Sequence, residues 1–334
     1  MQLKDFVKLI YQSEFGCGHF ITDKNFSLKF LKEEADLAYY NPNVELFEDI
    51  GGGFERLNLS VMKDSDLAIE DINDLFVVSA TKTTQTHKGF LNKLNDLKIL
   101  CKNHELPFCA DEVDFFEKTM KENNFLPISH SEIYRQEYKP AYRVIYSEYK
   151  RYLPVLKSIN LLLKEKTNIY IAIDGRCAAG KTTLSNLLKF VYDANLICMD
   201  DFFLPLELRT KERFLEIGGN IHYERFLKEV VCNLKSKESF KYNIFDCKIM
   251  DFDGVKSINP SNVSIVEGVY SMHPKFENEY DLKIFLDIDE KEQKKRLLKR
   301  NSEIFKRFID EFIPMEEKYF SKFNIREKCD LVIE

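Results

Sequence analysis

Long hydrophobic runs are missing from this chain. No stretch approaches the roughly 18 consecutive apolar residues of a membrane-crossing helix, so no membrane partner is expected. The opening residues, MQLKDFVKLIYQSEF, read as an amphipathic helix without the apolar core of a secretion signal, which points to a cytoplasmic chain. None of the eight cysteines belongs to a C-x-x-C pair, and the six histidines show no ligand spacing. Reduced thiols and no zinc are therefore expected. An excess of positive charge is absent too: the formal net charge is −6 and the pI about 5.7, which argues against a nucleic-acid partner. Internal repeats and low-complexity tracts are not found. Hydrophobic content of 44% and charged content of 31% are ordinary for a globular protein, and 334 residues suggest two domains.

What is there concentrates between Asn168 and Leu188. Ile169-Tyr170-Ile171-Ala172-Ile173 is an apolar, β-branched run that reads as a buried parallel strand. Gly175-Arg176-Cys177-Ala178-Ala179-Gly180-Lys181-Thr182 follows and fits G-x-x-x-x-G-K-[ST]. Thr183 and the residues after it continue as a helix, with Leu184, Leu187 and Leu188 on one face. The chemistry explains the spacing. The two glycines let successive N–H groups turn towards phosphate oxygens, and the helix starting at Lys181 aims its positive end at the same anion. Lys181 reaches the β- and γ-phosphates, and the Thr182 hydroxyl can ligate Mg²⁺. By average residue usage the pattern arises in a chain this long on the order of one time in a hundred. A nucleoside-triphosphate site, with ATP and Mg²⁺ as cofactors, is the expectation.

Further strands follow. Ala194 to Met199 reads as a second short buried strand and ends in Asp200-Asp201-Phe202-Phe203. Carboxylates at a strand's carboxyl end beside a phosphate loop sit where open α/β sheets bind ligands. One of them can take the proton of an attacking hydroxyl or help hold Mg²⁺. Ser261 to Val266 reads as a third strand ending in Glu267-Gly268-Val269-Tyr270, where Glu267 would bind Mg²⁺ through water or position the acceptor. Leu282 to Ile288 is a fourth strand, Lys291 to Asn301 a strongly basic helix, and Cys329 to Ile333 the last strand. A basic run of this kind is ordinarily a solvated helical face. Arg296 and Arg300 share that face at i, i+4.

The first half is less specific. Residues 1 to 40 are expected to be mostly helical, with Phe6, Leu9 and Ile10 as one stripe and Phe26, Leu28, Phe30 and Leu31 starting another. Phe15-Gly16-Cys17-Gly18-His19 is a turn that either connects two helices or brings backbone close to a ligand. Residues 44 to 60 suggest two short strands around Gly51-Gly52-Gly53. Helical patterns are expected from Asp64 to about Asn103, with Leu91, Leu94, Leu97, Ile99 and Leu100 inside, and again from Asp111 to Asn123. Pro127 to Arg143 is dense in Tyr and Arg, which suits recognition of phosphate, sugar or an aromatic ring and equally a domain interface. Tyr146 to Lys166 is expected as one helix, kinked or restarted at Pro154, whose apolar face includes Leu153, Leu156, Ile159 and Leu161.

Strand, G-x-x-x-x-G-K-T loop, a second strand ending in DDFF and a later VEG together resemble the uridine kinase/phosphoribulokinase branch of the P-loop kinases, over residues 167 to 334. The resemblance implies a P-loop NTPase-type α/β fold, a parallel sheet with flanking helices, for the domain of residues 151–334; residues 1–150, outside the resemblance, read from their own pattern as a mainly α-helical domain with a small hairpin and no assigned role. It implies that Asp200 is the base that activates a sugar hydroxyl; Asp201 stands where relatives carry a small polar residue. It implies a lid on the basic helix, whose Arg296 and Arg300, with Arg307, close over the phosphates. Acceptor contacts fall on His222, Tyr223, Arg225, Phe245, Asp246 and Tyr270, besides Asp201. His222 replaces an Asp that relatives use for the ribose, and this departure puts ordinary nucleoside recognition in question.

The expected function is an ATP- and Mg²⁺-dependent phosphotransferase acting on a hydroxyl of a small sugar-containing acceptor, a nucleoside first. Pantothenate-like, vitamin-riboside-like and ribulose-phosphate-like acceptors stand as alternatives. So does a nucleotide-dependent module that switches the N-terminal domain. Self-association into a homo-oligomer stays open.

Overall fold

Apolar periodicity changes near residue 168, and the architecture changes with it. The computed structural model describes residues 1–17, 23–65, 67–82, 86–236, 238–300 and 302–334. Gly18 and His19, two of the five residues of the expected glycine turn, lie outside the described residues, as does Asn301. The chain divides into two compact units, Met1–Leu153 and Pro154–Glu334.

In the first unit, α1 (Leu3–Phe15), α2 (Lys24–Leu37), α3 (Ile69–Ser79), α4 (His87–Lys102), α5 (Ala110–Glu122) and α6 (Glu132–Tyr138) accompany a three-stranded antiparallel sheet. Its strands are β1 (Phe47–Gly51), β2 (Phe54–Asn58) and β3 (Tyr142–Tyr146), with β2 in the middle. Helix α1 buries Leu3, Val7, Tyr11 and Phe15 against Phe90, Leu94 and Leu97 of α4 and Val113 and Met120 of α5. The expected stripe of Phe6, Leu9 and Ile10 is offset by one position and only half-buried, because Tyr11 and Phe15 carry the helix's large aromatic surface inwards. Three further expectations are corrected. Phe26 and Phe30 are 57% and 49% exposed, since α2 buries only Leu31 and Ala35. Ile99 and Leu100 stand on the outer face of α4. The pattern from Asp64 to Asn103 breaks into α3 and α4.

The hairpin of β1 and β2 turns at Gly51-Gly52-Gly53, all at positive φ. Gly52 is needed for contact as well as conformation: a Cβ there would lie 1.6 Å from the Ser13 carbonyl oxygen. Strand β3 was hidden in the Tyr/Arg segment, and it replaces the start of the long helix expected from Tyr146. That helix is two pieces, α7 (Ser147–Lys150) and α8 (Leu153–Glu165). Pro154 starts the second piece instead of kinking one helix, as its fixed φ and missing N–H favour. Leu161, expected on the apolar face, is 52% exposed.

In the second unit, five parallel strands run in the order β10-β9-β4-β8-β5: β4 (Ile169–Gly175), β5 (Asn195–Cys198), β8 (Val263–Glu267), β9 (Leu282–Leu286) and β10 (Leu331–Ile333). Strand β4 lies at the centre and is buried on both faces, as its unbroken apolar run requires. Ala172, Val266 and Phe285 face a cluster that includes Phe202, Phe226, Tyr319 and Phe320. Helix α9 (Lys181–Tyr192) buries Leu184, Leu187 and Leu188. The segment Phe240–Asp246 is β6, and it pairs with β7 (Asp251–Ile258) as a separate antiparallel hairpin that the sequence did not suggest. Helices α10 (Lys211–Leu215), α11 (Tyr223–Phe226), α12 (Cys232–Leu234), α13 (Glu290–Arg300), α14 (Phe305–Arg307) and α15 (Ile313–Phe323) complete the unit. No helix is long and apolar enough to cross a membrane.

Gly52→Ala should lower the stability of the first unit by about 2 kcal/mol, from the backbone clash and the left-handed φ together. Thermal unfolding followed by circular dichroism checks this, and an unchanged first transition would contradict the packing described.

Candidate active site

Sheet register brings the site together. Glu267, the last residue of β8, pairs with Ile173 on one side and Cys198 on the other, so the carboxyl ends of β4, β8 and β5 are level. The phosphate loop leaves β4 at Gly175, and Asp200 follows β5 within a short 3₁₀ turn over Met199–Phe202. Gly175 sits at φ 131° and a Cβ on it would meet the Leu286 carbonyl oxygen at 2.1 Å, so only glycine lets the loop start beside β9. Ala178 (φ 62°) and Gly180 (φ 107°) complete the curl, and Gly180 caps α9.

Loop partners hold this shape. Arg176 pairs with Asp287 and with Glu317 (2.6 Å). Glu316 of α15, buried, accepts a hydrogen bond from the Cys177 N–H at 3.0 Å. Gln293 of α13 donates to the Cys177 carbonyl at 3.0 Å. Burial, with Glu316 next, pushes the Cys177 thiol up to about 12, so it stays neutral beside any anion. Ala179 is buried, whereas Thr182 is exposed and Thr183 half-buried, at the first turn of α9. The Lys181 ammonium folds back onto the carbonyls of Gly175 (2.6 Å) and Arg176 (3.0 Å). It is held at the mouth of the loop.

Four carboxylates feel that ammonium. Asp174 is fully buried and accepts from the N–H of Gly175 (2.8 Å), the N–H of Met272 (3.1 Å) and the Tyr319 hydroxyl (2.9 Å). Burial outweighs those bonds and pushes it up to about 6. Glu267, buried, is raised by burial and by the like charge of Asp200, against the pull of Lys181 and a Cys198 thiol 3.4 Å away. Glu316 is raised by burial as well. Asp200 is raised by burial first, while Lys181 and Arg300 hold it down and Asp201 pushes it up. Its own surface is open to solvent although protein surrounds it. Water reaches it, and a ligand that displaces that water would strengthen the upward push.

This donor set fits Mg²⁺, a hard cation that takes oxygen ligands and keeps several waters. The exposed Thr182 hydroxyl and the Glu267 carboxylate are the residues that would hold it, and a divalent cation would relieve the repulsion between Glu267 and Asp200. Among the described residues no group of three or more His, Cys, Asp or Glu side chains forms a complete cage.

The remaining expected residues fall in two groups. Asp201 accepts from the Tyr242 hydroxyl at 2.8 Å and lies 3.9 Å from Lys256. Arg225, buried, donates to the carbonyls of Asp201 and Asn243 (2.8 Å) and lies over the rings of Phe202 and Phe252. It braces the Asp200-Asp201 turn against the β6–β7 hairpin. Tyr223 is buried between Arg213, Glu216 and the His273 ring, and His222 is half-buried, with Glu224 at 3.2 Å. Phe245 packs on Phe252, Asp246 accepts from the Lys248 N–H (2.6 Å), and Tyr270 packs against Tyr319. Of the lid arginines, Arg296 reaches the Ala178 carbonyl at 3.4 Å and Arg300 acts electrostatically on Asp200. Arg307 is exposed and pairs with Glu311 on its own helical stretch. Asp174 and Glu316 were missed by sequence reasoning. Asp174 had a usable signal, a carboxylate closing the strand just before the loop; Glu316 had none, lying in an unremarkable amphipathic helix.

No protein-family model matches the chain, and no curated protein does. Among solved structures, it is similar to one named as a possible uridine kinase from Bacillus stearothermophilus, at 18% identity and TM-score 0.42, covering 54% of this chain and 100% of that one. A protein from a Silicibacter species, named as a fructose transport system kinase, aligns at 21% identity and TM-score 0.43, over 53% of this chain and 98% of that one. D-glycerate 3-kinase from Cryptococcus neoformans aligns at 14% identity and TM-score 0.37, over 45% and 78%.

Asp174 predicts a pH effect. Its pKa is raised on folding, so the protonated carboxyl favours the fold below about pH 4, and that contribution is lost as pH rises through about 6. The difference amounts to about 3 kcal/mol. In Asp174→Asn the stability change between pH 4 and 7 should be smaller by an amount of that order; equal slopes in denaturant titrations would refute the assignment. On its own strand order and loop, the unit Pro154–Glu334 has the P-loop α/β fold.

Proposed function

We propose that the second unit is an ATP- and Mg²⁺-dependent phosphotransferase that acts on a hydroxyl of a small sugar-containing acceptor, with a nucleoside as first choice. The observation that carries the reading is the convergence of Asp200 and Glu267 on Lys181 at the mouth of the loop. A pure nucleotide switch needs the loop but not a second, partly desolvated carboxylate at the open end of the cleft.

In this reading the N–H groups of Ala178, Gly180, Lys181, Thr182 and Thr183 and the Lys181 ammonium hold the triphosphate, Lys181 leaving the two carbonyls it now caps. Thr182 and Glu267 would hold Mg²⁺, which would supply charge neutralisation on the phosphate oxygens. Asp200 takes the proton of the acceptor hydroxyl as that oxygen bonds to the γ-phosphorus, and the bond to the β–γ bridging oxygen breaks to release ADP. Arg296 and Arg300 face the negative charge spread over the equatorial oxygens. Arg307 joins them only by breaking its pair with Glu311. Asp201 fixes the acceptor, backed by Arg225 and Tyr242, with His222, Tyr223, Phe245, Asp246 and Tyr270 around it. The upward-shifted pKa of Asp200 suits a base, because proton transfer is most effective when the base's pKa approaches the working pH.

ADP release should rise sharply with the right acceptor in a panel of nucleosides, polyols and hydroxy acids; flat release across the panel favours a switch. Asp200→Asn should keep ATP affinity and lose about 10²- to 10⁴-fold in kcat, whereas near-normal turnover removes Asp200 as the base. Lys181→Ala should abolish ATP-dependent turnover. In the wild type, kcat/KM should fall as the pH drops through a midpoint above the ordinary aspartate value, since only the ionised carboxylate accepts a proton.

A further inference from the structure

The first unit contains a polar cluster that a phosphotransferase site does not use. Asp5, Lys8 and Gln12 stand three and four positions apart on α1 and so line one face. Asp5 is buried and fully engaged: it accepts from the Gln2 N–H (2.8 Å), from the Ser131 N–H (2.8 Å) and hydroxyl (2.7 Å), and from His130 Nδ1 (3.3 Å). His130 Nε2 then accepts from the Tyr142 hydroxyl at 2.6 Å, and Gln12 donates to that hydroxyl at 3.1 Å. Burial drives the His130 pKa down to about 4, so the ring is neutral and adds no charge. Gln12 Oε1 finally accepts from Arg56 at 3.0 Å.

Two cations in this cluster lack what cations beneath a protein surface ordinarily have. Arg56 is only 7% exposed, yet its sole carboxylate neighbour among the described residues is half-exposed Glu48 at 3.6 Å, and its Nε is buried with no hydrogen-bond partner. Lys8 is half-buried and has no hydrogen bond or ion pair with any described residue. The charges it senses are Arg56, Arg135 and Lys4 against Asp5 alone, and burial with those cations brings its pKa down to about 8. Four cations therefore face two carboxylates, one already saturated by hydrogen bonds. Desolvated charge is costly without a counter-charge. An anion between Lys8 and Arg56 would supply the missing acceptor for Nε and for the ammonium.

We propose that this face of the first unit binds a small phosphate-bearing anion, gripped by Lys8 and Arg56 with Lys4 and Arg135 at its rim. Phosphate is preferred to carboxylate because several cations gather here and a phosphate offers more acceptor positions and more charge. A surface for the rest of a phosphate ester lies alongside: Tyr134 stacks on His130 at 4.2 Å and Tyr138 on Tyr134 at 4.8 Å, and Tyr138 is 57% exposed. Free phosphate and a phosphomonoester share the recognised group.

Hydrogen exchange read by mass spectrometry on the full chain tests this, because it localises the site. Inorganic phosphate and, separately, glycerol 3-phosphate are compared with chloride at equal ionic strength. The expected result is at least about threefold slower exchange in α1, β2 and the segment 130–143 with either phosphate ligand. A larger effect of inorganic phosphate identifies the free ion as the ligand, and an equal or larger effect of the ester identifies a phosphomonoester. Lys8→Met should lose the slowing and Lys8→Arg should retain it. Arg135→Gln, at an exposed position, should weaken it. Protection confined to the phosphate loop, or persisting undiminished in Lys8→Met, overturns the proposal and leaves the loop's own reading intact. Protection by an RNA oligonucleotide but by neither small phosphate overturns it as well.

Discussion

One ammonium group organises the second unit. Lys181 stands within electrostatic reach of Asp174, Asp200, Glu267 and Glu316, each pushed towards its neutral form by burial. Desolvated carboxylates cannot gather without opposing charge. The lysine makes the gathering tolerable, and it does so from a position fixed by the loop carbonyls. The loop is in turn fixed by Gly175 passing beside Leu286, and by Glu316 and Gln293 gripping Cys177 from two helices. Sheet order matters for the same reason. With β4 central and the carboxyl ends of β5 and β8 level with it, residues far apart in sequence meet above one edge, where open α/β sheets bind ligands.

The four carboxylates do different work because their surroundings differ. Asp174 is sealed below the loop by two backbone N–H groups and the Tyr319 hydroxyl, so it is part of the scaffold. Glu316 holds a loop N–H that would otherwise be free for phosphate. Glu267 and Asp200 are left at the open side, one buried and one reachable by water. That division supports separate roles for them, the first towards a metal and the second towards a proton. The two cationic assemblies of the chain also contrast. In the second unit acidic groups outnumber the lysine. Around Lys8 and Arg56 of the first unit the imbalance is reversed.

The phosphate loop was legible in the sequence because its backbone leaves little choice: glycine where φ is positive and a wall is near, lysine where charge must be met. Asp200 and Glu267 were legible because each closes an apolar strand. Strand β3 was not, since Tyr142-Arg143-Val144-Ile145-Tyr146 follows Pro140 and alternates weakly; its pairing with β2 is a tertiary outcome. Strand β7 is exposed along most of its length, so no alternation of polar and apolar residues marks it. The misassigned stripes on α1, α2 and α4 share a cause. Periodicity shows that a helix has an apolar face, but the neighbours decide which shoulder of it is covered. Glu316 and the Asp5–His130–Tyr142–Gln12–Arg56 chain depend on contacts between segments distant in sequence and left no local trace.

The central claim is that the pocket transfers a phosphoryl group to a hydroxyl instead of only binding or hydrolysing a nucleotide. Its most direct test follows the γ-phosphoryl group itself. ATP carrying ¹⁸O on the γ-phosphorus is incubated with the protein, Mg²⁺ and a pool of small metabolites, and the products are read by mass spectrometry. The account predicts a labelled phosphate ester of one hydroxyl-bearing compound in amounts matching the ADP formed. Label found only in inorganic phosphate, or left entirely in ATP, would contradict it.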